Sequence, residues 1–522
     1  MRIMTMFGMA AALALGLALV GAAPVSAQQV LRVGLYAEIV THDPHVERNR
    51  YGIVQLRNIY EPLVDLKGGT TQLEGVLAAS WKASGDGKTY TFHLRPNVVF
   101  TDGTPFNAEA VKVNIERIQK LKLGPYLQAR PIAKVETAGD LEVRITLEKP
   151  FSPFLRGMAL VRMISPTALK THDGGDSARK WLVDNSVGTG AYKVVSWAHG
   201  QEFVYERNRA WWGKPAAKGF DRVQLRVMSE PSTQQLMLEK GDLDIIQIFN
   251  RDDLARLRAN PRLQVAGGLA WEQQYIQLNG LAAPTKERKG REAISHLWNP
   301  EDYMKLMGGT VLPSDGPVPS DLAGATGSQV VYGVNPERAR ALLREAGVQA
   351  GTPFIMQYNK GDETKRLTAE LFQGPLSQAG FNVRIEVDTW PAQLKFMTDW
   401  FRAPSQQTAR HANLLNSSPR FATAWDMMYY LFHSDAQGGV GSNFMNYSNP
   451  RVDALLTEAA AILDEDKSLE LIRQASKIVA EDAGAVFISR TQELVPMQKS
   501  IKGYVHRKAL TQYLMYHELY RE

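Results

Sequence analysis

Apolar positions recur along the chain in two rhythms. Period-two alternation marks strands, because successive side chains of an extended chain point to opposite faces. It runs through Val30 to Tyr36, through Tyr90, Phe92 and Leu94, and through Leu141 to Leu147. It returns in Tyr192 to Trp197, in Phe203 to Arg207 and in Phe220 to Val227. Later stretches of the same kind are Phe354 to Tyr358, Phe381 to Val387 and Ala485 to Ile488. Helical spacing appears between them. Asn107 is suited to cap a helix that follows it, with Glu109 in the first turn, where an acid complements the dipole. Glu230 to Lys240 reads as a helix with Thr233, Leu236 and Met237 on one face. Asn335 to Gly347 has proline at its first helical position and glycine just past its end. Leu367 to Ala379 is a further helix, and Val452, Leu455, Leu456, Ala459, Ala460 and Leu463 share a face of a long one that follows Pro450.

Turn chemistry separates these elements. Asp86-Gly87 is a hairpin signal, and Gly188-Thr189-Gly190 reads as a turn, with glycine available for positive φ. Residues 67–170 are rich in hairpins, whereas strands and helices alternate after Phe354, the order of an α/β lobe with its own sheet. For a chain of 522 residues, about 150 residues per domain gives a prior of roughly three domains.

The first 27 residues stand apart. Arg2 is followed by an uncharged apolar run of eleven, Ala10 to Val20, and Val25-Ser26-Ala27 offers small residues before Gln28. This is the pattern of a secretory signal peptide cleaved after Ala27; the run is too short to span a bilayer. The chain has no cysteine, which excludes disulfides, thiol catalysis, thiolate metal sites and a lipidated N-terminal cysteine. The net charge of +6 is spread among acids, without the concentrated basic face of a nucleic-acid binder.

Three segments carry a resemblance: VGTGAYKVVSW, ERNRAWWG and LEKGDLDI, in register over Asn185 to Ile246, with YEPLV at Tyr60 to Val64 upstream. Together they resemble the periplasmic solute-binding proteins for peptides, nickel and related ligands, solute-binding protein family 5, which serve ATP-driven importers. The likeness extends over residues 30–510 and is weakest between 396 and 445. It implies an α/β fold of the bilobal type II periplasmic-binding-protein class, two hinged α/β lobes with an extra hairpin-rich subdomain in lobe 1. The expected division is 1–27 signal peptide, 28–66, 171–268 and 485–522 lobe 1, 67–170 subdomain, and 269–484 lobe 2. It also implies a periplasmic monomer that delivers a small solute to an inner-membrane ABC permease, with no catalysis, cofactor or metal.

Site residues follow from the same resemblance. Tyr126 and Arg162 fall where the nickel-chelate branch places an aromatic and an arginine on its ligand; packing and a structural ion pair are the plain alternatives. Trp390 ends a strand where the family has an aromatic. Asn416, Arg420 and Phe421 lie in the loop that faces the cleft by analogy, and Arg490 lies near the last crossing, where a structural role competes. Peptide-binding relatives carry an aspartate in that loop for the free amine; this chain has Asn416, Ser417, Ser418 and Arg420, and the first acid is Asp426. A buried ammonium without a counter-charge is costly, and an arginine fork pairs with carboxylate, so the expected solute is carboxylate-bearing and peptide-like, acidic or a chelate. The loop Thr41 to His45 is a proline turn, with a second reading beside the ligand. Its His42 and His45 lack a third metal ligand at defined spacing. The competing classes are an exported hydrolase and a chaperone or sensor on the same fold. The first lacks any G-x-S-x-G, H-E-x-x-H or P-loop motif.

Overall fold

The computed structural model describes residues 28–37, 39–47, 50–325, 329, 332–403, 409–420, 422–509 and 514–522. The expected signal peptide lies outside them. One eleven-stranded sheet runs through the molecule. Its first half is built on Val30–Leu35, which pairs in parallel with Arg222–Val227 and with Ile245–Ile246. Glu202–Arg207 and Tyr192–Ala198 extend it as antiparallel neighbours. Its second half has Pro353–Asn359 parallel to Asn382–Asp388 and Ala412–Ser417. Two long antiparallel strands, Leu263–Leu278 and Ala485–Gln498, join the halves.

The join is where the sheet bends. Register along the two long strands is continuous from Leu263 to Leu269, breaks, and resumes at Gln273 opposite Arg490. Unpaired residues at a bulge bend a strand, so Ala270 to Glu272 form the hinge. The return strand therefore belongs to the second lobe from Ala485 to Arg490 and crosses only afterwards.

A separate four-stranded antiparallel sheet, Ala78–Ala83, Thr89–Leu94, Glu142–Leu147 and Ile132–Thr137, makes the subdomain. Tyr90, Phe92 and Leu94 point inward as the alternation requires, against Val111, Ile115 and Ile118 of helix Ala108–Leu121. Asn107 caps that helix through its Oδ1, which accepts from the Ala110 amide at 3.0 Å.

The glycine-rich motifs form one knot. The Glu61 carboxylate is buried and accepts from Thr189 Oγ1 at 2.7 Å, Trp211 Nε1 at 2.9 Å and Trp212 Nε1 at 3.0 Å. The segments YEPLV, VGTGAY and RAWWG are thus tied at a single acid. Burial raises the Glu61 pKa while those donors lower it. Gly188 and Gly190 do not adopt positive φ, contrary to the turn expectation. They permit close approach: a Cβ on Gly190 would sit 2.6 Å from the Asn58 and Ile59 carbonyl oxygens, and one on Gly188 would overlap the Ile59 carbonyl.

Helix Pro231–Lys240 buries Gln234, Gln235 and Leu238 and leaves Leu236 exposed. Gln234 faces inward because its amide serves backbone: Nε2 donates to the Met228 carbonyl and Oε1 accepts from the Gln247 amide. The helix begun at Pro450 ends at Ala461, Leu463 is exposed beyond it, and a further amphipathic helix, Glu465–Glu481, follows. The loop Thr41 to His45 is interior. Asp43 pairs with Arg117 at 2.5 Å, His45 accepts from Arg117 and donates Nε2–H to the Arg162 carbonyl, and His42 stands edge-on to Trp197. Burial lowers the pKa of both histidines from 6.5 to about 4. Among the described residues no group of His, Asp or Glu is placed to hold a metal.

Candidate functional site

The parallel strands of the two lobes direct their carboxyl ends at each other, which is where open α/β sheets place ligands. Tyr36, just past Val30–Leu35, donates its hydroxyl to the Gly361 carbonyl beyond Pro353–Asn359 at 2.7 Å. The loop after Ala412–Ser417 opens on the same end of the second sheet.

The subdomain also closes on the second lobe. Phe151 packs edge-on against Trp425 with ring centroids 5.3 Å apart, and the Ser152 amide donates to the Ala460 carbonyl at 2.7 Å. Gln128 Nε2 donates to Tyr430 Oη at 3.1 Å, and Arg130 Nη2 to Tyr429 Oη at 3.2 Å. Trp425, Tyr429 and His433 stack at i, i+4 and i+8 along helix Ala424–Phe432 and its end.

Arg420 is the centre of the loop. Its guanidinium lies over the Tyr430 ring, carbon to centroid 3.4 Å, and Nη2 donates to Ser442 Oγ at 3.1 Å. Its backbone amide donates to the Asp426 carboxylate. Arg420 Nη1 and Asn416 Oδ1 are buried without a hydrogen-bond partner among the described residues. Asn416 lies at the end of strand Ala412–Ser417, not in the loop where it was expected, and Arg420 in the loop that follows; a buried donor and acceptor left open there cost free energy unless a ligand or water completes them. Burial raises the pKa of Tyr430 and Tyr429, so both are neutral hydrogen-bonding phenols at neutral pH.

The expected residues divide into groups. Tyr126 begins the short helix Tyr126–Ala129 that presents Gln128 to Tyr430, so it lies on the subdomain side of the same contact. Trp390, at the start of helix Trp390–Arg402, packs edge-on against Phe444, two positions beyond Ser442. Arg420 bonds Ser442 and Trp390 packs on the nearby Phe444, while Tyr126 packs against the subdomain core. Arg162 is buried beside Pro62 and His45, in the wall of the first lobe. Arg490 stands apart at the hinge, held by Asp315 at 2.9 Å, by Asp321 at 2.6 Å and by the Ala270 carbonyl. Those partners occupy its two terminal nitrogens and give it a structural task. Phe421 lies outside the described residues.

Gln128, Tyr430 and Ser442 were missed at the level of sequence. The signal available was Asp426, an acid on a helix whose nine residues are all buried. Asp426 marks a polar site inside an apolar element, and its role is to hold the Arg420 backbone.

The chain matches the family model "bacterial extracellular solute-binding proteins, family 5" over residues 72–439. It is 32% identical over 496 residues to a probable D,D-dipeptide-binding periplasmic protein of Escherichia coli K12, covering 93% of each chain. It is 27% identical over 503 residues to a glutathione-binding protein of Pectobacterium atrosepticum, covering 92% of this chain and 93% of that one. A periplasmic binding protein of Helicobacter pylori in complex with the peptide STSA shares the fold, with TM-score 0.84 and 24% identity over 95% of this chain and 99% of that one. So does a dipeptide-binding protein of Pseudoalteromonas in complex with Met-Leu, with TM-score 0.84 and 21% identity over 95% and 100%. The chain belongs to the bacterial extracellular solute-binding proteins of family 5, as the substrate-binding component of an ABC importer and not an enzyme.

Proposed function

We propose that this protein captures a carboxylate-bearing, peptide-like small solute between its lobes in the periplasm and delivers it to an inner-membrane permease as a monomer, after removal of residues 1–27. The observation that carries the reading is the open pair at the end of strand Ala412–Ser417 and in the loop after it, Asn416 Oδ1 and Arg420 Nη1. In this reading Arg420 holds the solute carboxylate through a charge-assisted bond, Asn416 accepts from an amide N–H, and Trp390 and Tyr126 supply aromatic walls. Arg162 contributes positive charge from the first lobe. The relatives named for a D,D-dipeptide and for glutathione carry ligands of this class. Closure excludes water and strengthens each polar contact.

Calorimetric titration with D-alanyl-D-alanine and glutathione tests it. Amidation of the carboxylate should abolish binding, while acetylation of the amine should leave it unchanged. Arg420→Ala should raise Kd by about tenfold or more, the scale of one charged hydrogen bond. An unchanged Kd in Arg420→Ala removes Arg420 from the site.

A further inference from the structure

Arg420 does not hold its own orientation. Among the described residues its guanidinium has one side-chain hydrogen bond, to Ser442, and otherwise rests on the face of Tyr430. A planar guanidinium stacked on a ring keeps its donors in the plane, so the ring sets the direction of the fork. The Tyr430 ring has its own tether. Its hydroxyl accepts from Gln128, which lies 302 positions away in sequence on the subdomain. Gln128 is seated in turn, because its Cγ lies over Gly157, where an added Cβ would come within 3.0 Å. A chain of contacts thus leads from Gly157 through Gln128 and Tyr430 to Arg420, and it crosses from one lobe to the other.

We propose that Gln128 and Tyr430 are positioning residues for Arg420, so that docking of the subdomain on the second lobe aims the guanidinium at the cleft. The aim of the fork then depends on closure, which limits a strong carboxylate contact to the closed molecule. Opening removes the Gln128 tether and lets the solute leave. The neighbouring contact, Arg130 to Tyr429, docks the same surfaces without reaching Arg420. The proposal rests on Arg420 facing the solute, but the positioning can be measured without one.

The chain has no cysteine to compete for arginine-directed reagents. The experiment is phenylglyoxal labelling of the full protein, with the rate at each arginine read by peptide mass mapping. Gln128→Leu and Tyr430→Phe, which keeps the ring and deletes the hydroxyl, should each speed labelling of Arg420 by about fivefold, the factor one lost hydrogen bond allows. Arg490, locked between Asp315 and Asp321, should label at its parental rate and so reports any global unfolding. Equal Arg420 labelling in Gln128→Leu, Tyr430→Phe and parent overturns the proposal. A rise of the same size in Tyr429→Phe overturns it equally, because it would trace the effect to general loosening of the interface. Failure of the solute reading is separate: it would appear as an unchanged Kd in Arg420→Ala while the labelling differences persist.

Discussion

Single buried polar residues decide much of this molecule's chemistry. Glu61 shows how: one carboxylate receives two indoles and a hydroxyl from segments well separated in sequence. His42 and His45 show the converse, polar groups kept neutral by burial. The unfolded chain takes up a proton at each histidine near pH 6.5, whereas the folded one resists until about pH 4. Folding stability therefore rises with pH across that window and falls as the solution is acidified. At pH 4 each histidine withholds on the order of 3 kcal/mol from the folded state. Urea unfolding at pH 7 and pH 4.5 should show the loss, and it should shrink in His42→Phe, whose ring keeps the edge-on contact with Trp197. Equal acid sensitivity in that variant would assign the loss to other groups. The sequence displayed both histidines, but their environment could not be read there. A proline turn gives no sign of being interior.

Elements were the most legible level. Strand alternation and helix caps placed most of the sheet, and Asn107, Asn335 and Asn449 each cap the helix that follows. Misreadings arose where an element faces backbone in place of apolar side chains. Helix Pro231–Lys240 turns Gln234 inward because the backbone beside it needs an amide. The Gly188 and Gly190 segment was recognised as special, but for the wrong physical reason. Contact with the Asn58 and Ile59 carbonyls, and no turn, excludes a side chain. Gly188→Ala should destabilise the protein by about 1–3 kcal/mol, the usual scale of overpacking, measured by chemical denaturation. Stability equal to the parent's would mean that the YEPLV segment shifts at little cost.

At the scale of the whole molecule, function depends on an equilibrium between separated and closed lobes. The hinge is a register break in two long strands, stiffened by the Arg490 ion pairs and by His506, whose ring bridges Glu493 at 2.7 Å and the Leu269 carbonyl at 3.1 Å. The latch lies on the far side, where Phe151 meets Trp425. An edge-to-face aromatic pair contributes about 0.5–1.5 kcal/mol beyond its burial. Phe151→Ala should therefore shift the population toward the open form, seen as a larger radius of gyration in small-angle scattering. It should also weaken the affinity for solute by the fraction of closed molecules lost. An unchanged radius of gyration would show that Phe151 adds nothing to closure.

Local pattern alone marked many of the strands and helices, though not Trp390–Arg402, Ala412–Ser417 or Glu465–Glu481, and the motifs pointed to the family, because alternation, caps and close-packed glycines act over a few residues. Nothing local encodes a partner hundreds of positions away. Which face of Pro231–Lys240 is buried, that Arg490 is spent on Asp315 and Asp321, and that Gln128 reaches Tyr430 beneath Arg420 were decided only when the chain closed on itself. A hydrogen bond or ion pair depends on distance in space, and only the packed lobes set that distance.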